Sequence, residues 1–242
     1  MTDPQTSSDR APDERIICAL DVPTTAEAAA LAERIGDAIG FYKVGLQLFA
    51  VDGMALAREL KAQGRKIFLD WKLHDIGATV EKATANLAGA DCDLLTVHAR
   101  PQVMAAAARG AAGSKMKVLG VTVLTSLTAD DLAADDHSLS PADLVDRRVR
   151  QALEAGIDGV VSSPHEAARA RALADEAGRP DFLIVTPGVR PVGAALDDQA
   201  RAATPQAALQ AGATHLVIGR PITAATDPRA AAQAIAQQIA LI

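Results

Sequence analysis

Between Arg15 and the carboxyl end, short runs rich in β-forming residues alternate with Ala-rich stretches of helical length, eight times over. The runs are RIICALD (15–21), FYKVGLQ (41–47), KIFLDWK (66–72), LLTVHA (94–99), KVLGVTVL (117–124), GVVSS (159–163), FLIVTPG (182–188) and HLVIGR (215–220). Several are apolar on both faces, as parallel strands covered by helices must be. The stretches between them, such as TTAEAAALAERIGDAI and PQVMAAAARGAAG, space apolar residues three and four apart. Eight strand-helix units in a chain of 242 residues predict a single-domain (β/α)8 TIM barrel over 15–242. An open doubly wound sheet is the alternative, but no glycine-rich dinucleotide fingerprint follows the first run.

Helix signals agree with this periodicity. Thr24 and Thr25 are placed to cap the first helix, Pro101 and Pro164 suit first helical turns, and Gly64, Gly113 and Gly178 sit where helices should end. The two widest gaps, 125–140 and 190–203, follow the carboxyl ends of strands, the face on which barrel enzymes work, and read as lids.

Composition narrows the partners. Aromatic residues are only 2% of the chain, so the core must be aliphatic, and their scarcity argues against base-stacking platforms. A net charge of −6 supplies no field for a polyanion, which argues against nucleic acid and anionic membrane. Cys18 and Cys92 are isolated, which fits a reducing compartment and no structural metal. The first fourteen residues are polar and lack an apolar signal core, so a disordered tail (1–14) and a cytoplasmic location are expected.

The third run and its exit read FLDWKLHDI (68–76). Side chains two apart in a strand share a face, so Asp70 and Lys72 project together while Leu69 and Trp71 project oppositely. Equivalent strand ends carry Asp21, Lys43, His98 and Ser162 or Ser163. An ion pair closing the barrel's top layer explains Asp70 with Lys72 taken alone. A cluster of four charges is harder to explain structurally, because desolvation offsets attraction in buried pairs. Asp75 also suits an N-cap for a helix beginning near Gly77, and His98 a satisfied core histidine. The last two runs end in TPGVR and IGRPIT. There Gly188 and Gly219 permit close backbone approach, and Arg190 and Arg220 offer forked donors matched to phosphate oxygens. The alternative is that these arginines cover Asp197 and Asp198.

With these motifs stand ALD (19–21), YKVG (42–45), DxKxxDIxxT (70–79), VTVLTS (121–126) and DDQ (197–199). Together, across residues 15 to 240, they resemble the orotidine 5'-monophosphate decarboxylase family, whose reaction yields UMP in the last step of de novo pyrimidine synthesis. The resemblance implies that Lys72 is the proton donor within a charged network of Lys43, Asp70 and Asp75. It implies a homodimer in which Asp75 and Thr79 reach the neighbour's site. Asp21 would hold ribose hydroxyls, Thr125 the pyrimidine, and Gln199, Arg190, Gly219 and Arg220 the phosphate. No metal or organic cofactor is expected, and the partner is a small nucleotide substrate. Many relatives read DIPNT where this chain reads DIGAT, a change that leaves Asp75 and Thr79 in register. Two rivals remain. One is a metal-dependent sugar-phosphate decarboxylase or aldolase of the same barrel group, which places a metal-binding glutamate where this chain has Lys43. The other is a non-catalytic nucleotide-binding barrel.

Overall fold

A computed structural model describes residues 11–135, 137–191, 203–240 and 242. Its first half runs β1 (Ile16–Ala19), α1 (Thr25–Ile35), β2 (Phe41–Gly45), α2 (Leu46–Phe49), α3 (Gly53–Ala62), β3 (Lys66–Leu73), α4 (Gly77–Ala88), β4 (Leu94–His98) and α5 (Pro101–Ala111). The second half runs β5 (Lys117–Val121), α6 (Ala129–Ala134), α7 (Pro141–Ala155), β6 (Gly159–Val161), α8 (Ala167–Glu176), β7 (Leu183–Pro187), α9 (Pro205–Gln210), β8 (His215–Ile218), α10 (Arg220–Thr223) and α11 (Pro228–Ile239). The strands close in sequence order into an eight-stranded parallel barrel, with β1 paired to both β2 and β8. This is the expected TIM barrel and not an open sheet.

Strand parity sorts the core into two shells. Ile17, Phe41, Phe68, Leu94, Leu119 and Val185 fill the barrel interior as one cluster. Their chain neighbours Ile16, Cys18, Tyr42, Ile67, Leu69 and Leu95 belong to a second cluster, between barrel and helices. Alternation thus places one parity of every strand on the axis. Where the interior opens at the carboxyl ends of the strands, that parity carries Asp21, Lys43, Asp70 and Lys72.

Local signals account for the helix ends. Thr24 caps α1, its side chain accepting from the Glu27 N–H at 3.2 Å. Ser140, Thr204 and Asp227 cap α7, α9 and α11 in the same way, each followed by proline in the first turn. Pro101 opens α5 as expected. Pro164 does not open a helix: it lies in a turn, and α8 starts three residues later at Ala167. Gly64, Gly113 and Gly178 follow α3, α5 and α8 with positive φ.

Several boundaries differ from the sequence reading. Leu46 and Gln47 leave β2 for the short α2, β5 ends at Val121, and Arg220 begins α10 in place of extending β8. The gap 125–140 holds α6, closed by a capping box between Thr128 and Asp131, so it is not a bare loop. Residues 11–14, assigned to the tail, pack on the barrel: the Ile16 N–H donates to the Asp13 carbonyl at 3.1 Å and Glu14 pairs with Lys66 at 2.7 Å. Residues 1–10 lie outside the described residues. Among those described, no helix is long and apolar enough to cross a membrane.

Candidate active site

A cavity of about 610 Å³ opens at the carboxyl ends of the strands, a volume suited to a small organic ligand. Ala19, Phe68, Val121, Val161, Pro187 and Val217 give it an apolar floor. Above this floor, four charged side chains alternate in sign along one wall. Lys43 Nζ lies 2.8 Å from Asp21 Oδ1 and 3.5 Å from Asp70 Oδ2, and Lys72 Nζ lies 2.9 Å from Asp70 Oδ1.

Register explains how these groups meet. Ala19 pairs with Lys43, Lys43 with Phe68, and Gly45 with Asp70. Lys43 therefore starts one layer below both carboxylates, and its long side chain rises between them. Gly45 leaves room for that rise: a Cβ there would stand 2.8 Å from both Asp21 Oδ1 and Lys43 Nζ. This is the physical content of the glycine in YKVG, whose role the sequence reading missed.

Exposure grades along the row. The Lys43 side chain is 8% exposed, Asp70 15%, Lys72 24% and Asp21 53%. Burial by itself would raise the Asp70 carboxyl. The ammonium groups of Lys43 and Lys72, with hydrogen bonds from Lys72 and Thr96, overcome that and hold it below the usual carboxylate range. Asp70 is therefore an anion at neutral pH, held between two cations.

Lys72 is reached through irregular backbone. The β3–β4 ladder pairs Leu69 with Leu95 and next pairs Leu73 with Val97, so Asp70, Trp71 and Lys72 together face Thr96. Lys72 has φ of 50°, in the left-handed region that disfavours side chains other than glycine. Its N–H donates to Thr96 Oγ1 at 3.0 Å, and the Thr96 hydroxyl donates to Asp70 Oδ1 at 3.0 Å. Thr96 was not singled out from sequence, although it shares the inward parity of Leu94 on β4.

The remaining candidates divide. Thr125, Ser162, Gly188, Arg190, Gly219 and Arg220 line the rest of the cavity, at and beyond the ends of β5 to β8. Gly188 has φ of 77°, a conformation suited to glycine. Arg190 is buried and its N–H donates to the Ala203 carbonyl at 2.9 Å. The Ser162 hydroxyl is buried without a hydrogen-bond partner among the described residues, so it remains available to a ligand. Gln199, Asp197 and Asp198 lie outside the described residues. His98 stays out of the cavity and meets His74, with ring centroids 5.2 Å apart. Ser163 turns away to donate to the Glu166 carboxylate.

Asp75 departs from the cap reading. α4 does begin at Gly77, but its cap position is Ile76, which makes no side-chain cap. The exposed Asp75 accepts from the adjacent Ile76 N–H at 2.6 Å. Neither Asp75 nor the exposed Thr79 lines the cavity of this chain. Near them, the segments after β2 and β3 expose Leu46, Phe49, Val51 and Ile76, the last at 70%. Among the described residues, no three His, Cys, Asp or Glu side chains converge as metal ligands.

A family model described as orotidine 5'-phosphate decarboxylase / HUMPS family matches residues 14–235. An orotidine 5'-phosphate decarboxylase of Caulobacter vibrioides (strain NA1000 / CB15N) is 62% identical over 228 residues, covering 94% of this chain and 98% of that protein. One from Cereibacter sphaeroides is 54% identical over 231 residues, covering 94% and 97%. The crystal structure of orotidine 5'-phosphate decarboxylase from Lactobacillus acidophilus matches with a TM-score of 0.81 at 38% identity, covering 94% of this chain and 99% of that one.

Proposed function

This chain belongs to the orotidine 5'-phosphate decarboxylase / HUMPS family, and from that premise we propose that it converts orotidine 5'-monophosphate to UMP with Lys72 as the proton donor. The observation that carries the proposal is the row Asp21–Lys43–Asp70–Lys72, alternating in sign above an apolar floor.

Breaking the bond between C6 and the carboxylate leaves an electron pair on C6, in an orbital the ring's π system cannot delocalise. The protein must stabilise that charge where it forms. The Lys72 ammonium is positioned to do so, and then to pass a proton to C6; water restores the proton to Lys72. Asp70 orients Lys72 at 2.9 Å. It also sets a negative charge beside the departing carboxylate, which disfavours the bound substrate relative to the transition state. The apolar floor formed by Val121, Val161 and Val217 receives the released CO2 more readily than it hosts an anion.

Arg190, Gly219 and Arg220 of the cavity wall hold the 5'-phosphate; Gln199, outside the described residues, is assigned to the same group; Thr125 contacts the pyrimidine, and Asp21 holds ribose hydroxyls beside Lys43. Grip on the remote phosphate supplies binding energy that orders the site around the reacting carbon. In a homodimer, Asp75 and Thr79 enter the neighbouring site. The exposed Leu46, Phe49, Val51 and Ile76 supply apolar surface for that contact. No metal or organic cofactor takes part, and a small biosynthetic enzyme of this kind works in the cytoplasm.

The test is the loss of substrate absorbance on mixing orotidine 5'-monophosphate with the protein in EDTA. Turnover is expected with the native chain. Lys72→Ala should abolish it while still binding UMP, and a Lys72→Ala enzyme with near-native kcat would refute the assignment. For shared sites, inactive Asp75→Asn and Lys72→Ala dimers should regain activity after subunit exchange; no recovery after confirmed exchange would refute sharing.

A further inference from the structure

We infer that Thr96 is a positioning residue for the reaction: its hydroxyl holds the left-handed bulge of β3 that aims Lys72, acting on Lys72 and Asp70 at once without touching substrate. The inference rests on Lys72 being the proton donor, as proposed above.

The bulge creates a specific need. Between the pairs Leu69↔Leu95 and Leu73↔Val97, three residues of β3 face one residue of β4. Such an insertion breaks the ladder and leaves backbone donors without their strand partners. The Lys72 N–H is one of these, and an unpaired buried donor is strongly disfavoured. Lys72 also carries positive φ, which persists in a non-glycine residue only when its surroundings over-determine it. Thr96 Oγ1 replaces the missing strand acceptor at 3.0 Å.

The same hydroxyl then donates its one proton to Asp70 Oδ1 at 3.0 Å, the oxygen that accepts from Lys72 Nζ at 2.9 Å. A closed circuit results, running from the Lys72 N–H through the Thr96 hydroxyl to the Asp70 carboxylate and back to the Lys72 ammonium. The backbone and the side-chain tip of Lys72 are thereby referred to one fixed point. That point is rigid: Thr96 is 0% exposed, lies mid-strand in β4, and is β-branched with few rotamers. Thr96 is absent from the cavity lining, which separates its role from substrate contact.

Threonine is suited to this task. A hydroxyl accepts and donates at once, as the circuit requires, while the methyl group keeps the interior packed. Valine has the same shape and removes only the hydroxyl. Serine keeps the hydroxyl and removes only the methyl.

The experiment measures kcat and KM for orotidine 5'-monophosphate in Thr96→Val and Thr96→Ser, counting competent sites by stoichiometric UMP binding. Thr96→Val should lower kcat per UMP-binding site by about 30-fold, with KM within about threefold of native, because the lost hydrogen bonds orient Lys72 and not the phosphate. Thr96→Ser should restore kcat to within about threefold of native. If Thr96→Val does not fold, Thr96→Ala is measured in its place against the same expectation. A merely structural role would reduce the number of binding sites or the melting temperature and leave kcat per site unchanged, and that result overturns the inference. So does a Thr96→Ser enzyme as slow as Thr96→Val. Failure of the underlying assignment is distinguishable, because it shows as full activity in Lys72→Ala or none in the native chain, whatever Thr96 does.

Discussion

Asp70→Asn removes one charge and little else: asparagine keeps the size and one acceptor oxygen but leaves Lys43 and Lys72 facing each other without the anion between them. At the observed 2.9 and 3.5 Å, with an effective dielectric of 20, Asp70 attracts the two ammonium groups by about 6 and about 5 kcal/mol before desolvation. The net value is smaller, because each group also loses hydration. Removing one partner from a buried pair ordinarily costs about 3–5 kcal/mol. Where about 4 kcal/mol of that falls on the orientation and charge of Lys72 in the transition state, kcat drops about 10³-fold. UMP carries no carboxylate at C6, so its affinity should stay within about threefold. The assay pairs steady-state decarboxylation with calorimetric UMP binding. An Asp70→Asn enzyme within tenfold of native kcat would refute the reasoning, as would one that loses both activities in parallel, since that pattern means the cavity has collapsed.

Arg220→Ala should mainly raise KM, because a phosphate contact remote from C6 contributes binding more than chemistry; unchanged kinetics would remove Arg220 from the phosphate site. Gly45→Ala should lower kcat/KM about tenfold with little change in thermal stability, because the added Cβ falls 2.8 Å from movable side-chain ends of Asp21 and Lys43; native kinetics would show that the row tolerates displacement. At the opposite end of the barrel, burial and then Lys66 depress the His215 imidazole from 6.5 to about 4. The folded state thus disfavours its protonation, so stability is intact above about pH 6.5 and is lost as pH falls toward 4, by about 3 kcal/mol in all. Denaturant unfolding of His215→Asn should show a shallower decline over that window, and an unchanged slope would contradict it.

Periodicity and parity made much of this molecule legible before any coordinates. Eight apolar runs separated by helix-forming stretches admit few closures, so the barrel followed from the sequence. Period-two alternation likewise put Asp70 and Lys72 on one face with Trp71 on the other, and both charged residues line the cavity while Trp71 packs in the outer shell. Arg190, Gly219 and Arg220 were found from their place after the last two strands, and they do line the cavity. The cap reading of Asp75 failed because a short-range signal says only that an acid precedes a helix, not where the chain turns into it. Pro164 misled for the same reason.

Tertiary structure decided what depends on register and backbone irregularity. Alternation assumes a regular strand, yet Lys72 enters the cavity from a bulge with left-handed φ, and no pattern of residue types announces where a ladder will break. Thr96 matters because β4 happens to lie opposite that break, and Gly45 because Lys43 must pass it to reach two carboxylates. Local composition determines which elements form, since propensity and burial act over a few residues. The links from Lys43 to Asp21 and Asp70, and from Thr96 to Asp70 and Lys72, join residues more than twenty apart, and these exist only once the barrel has closed.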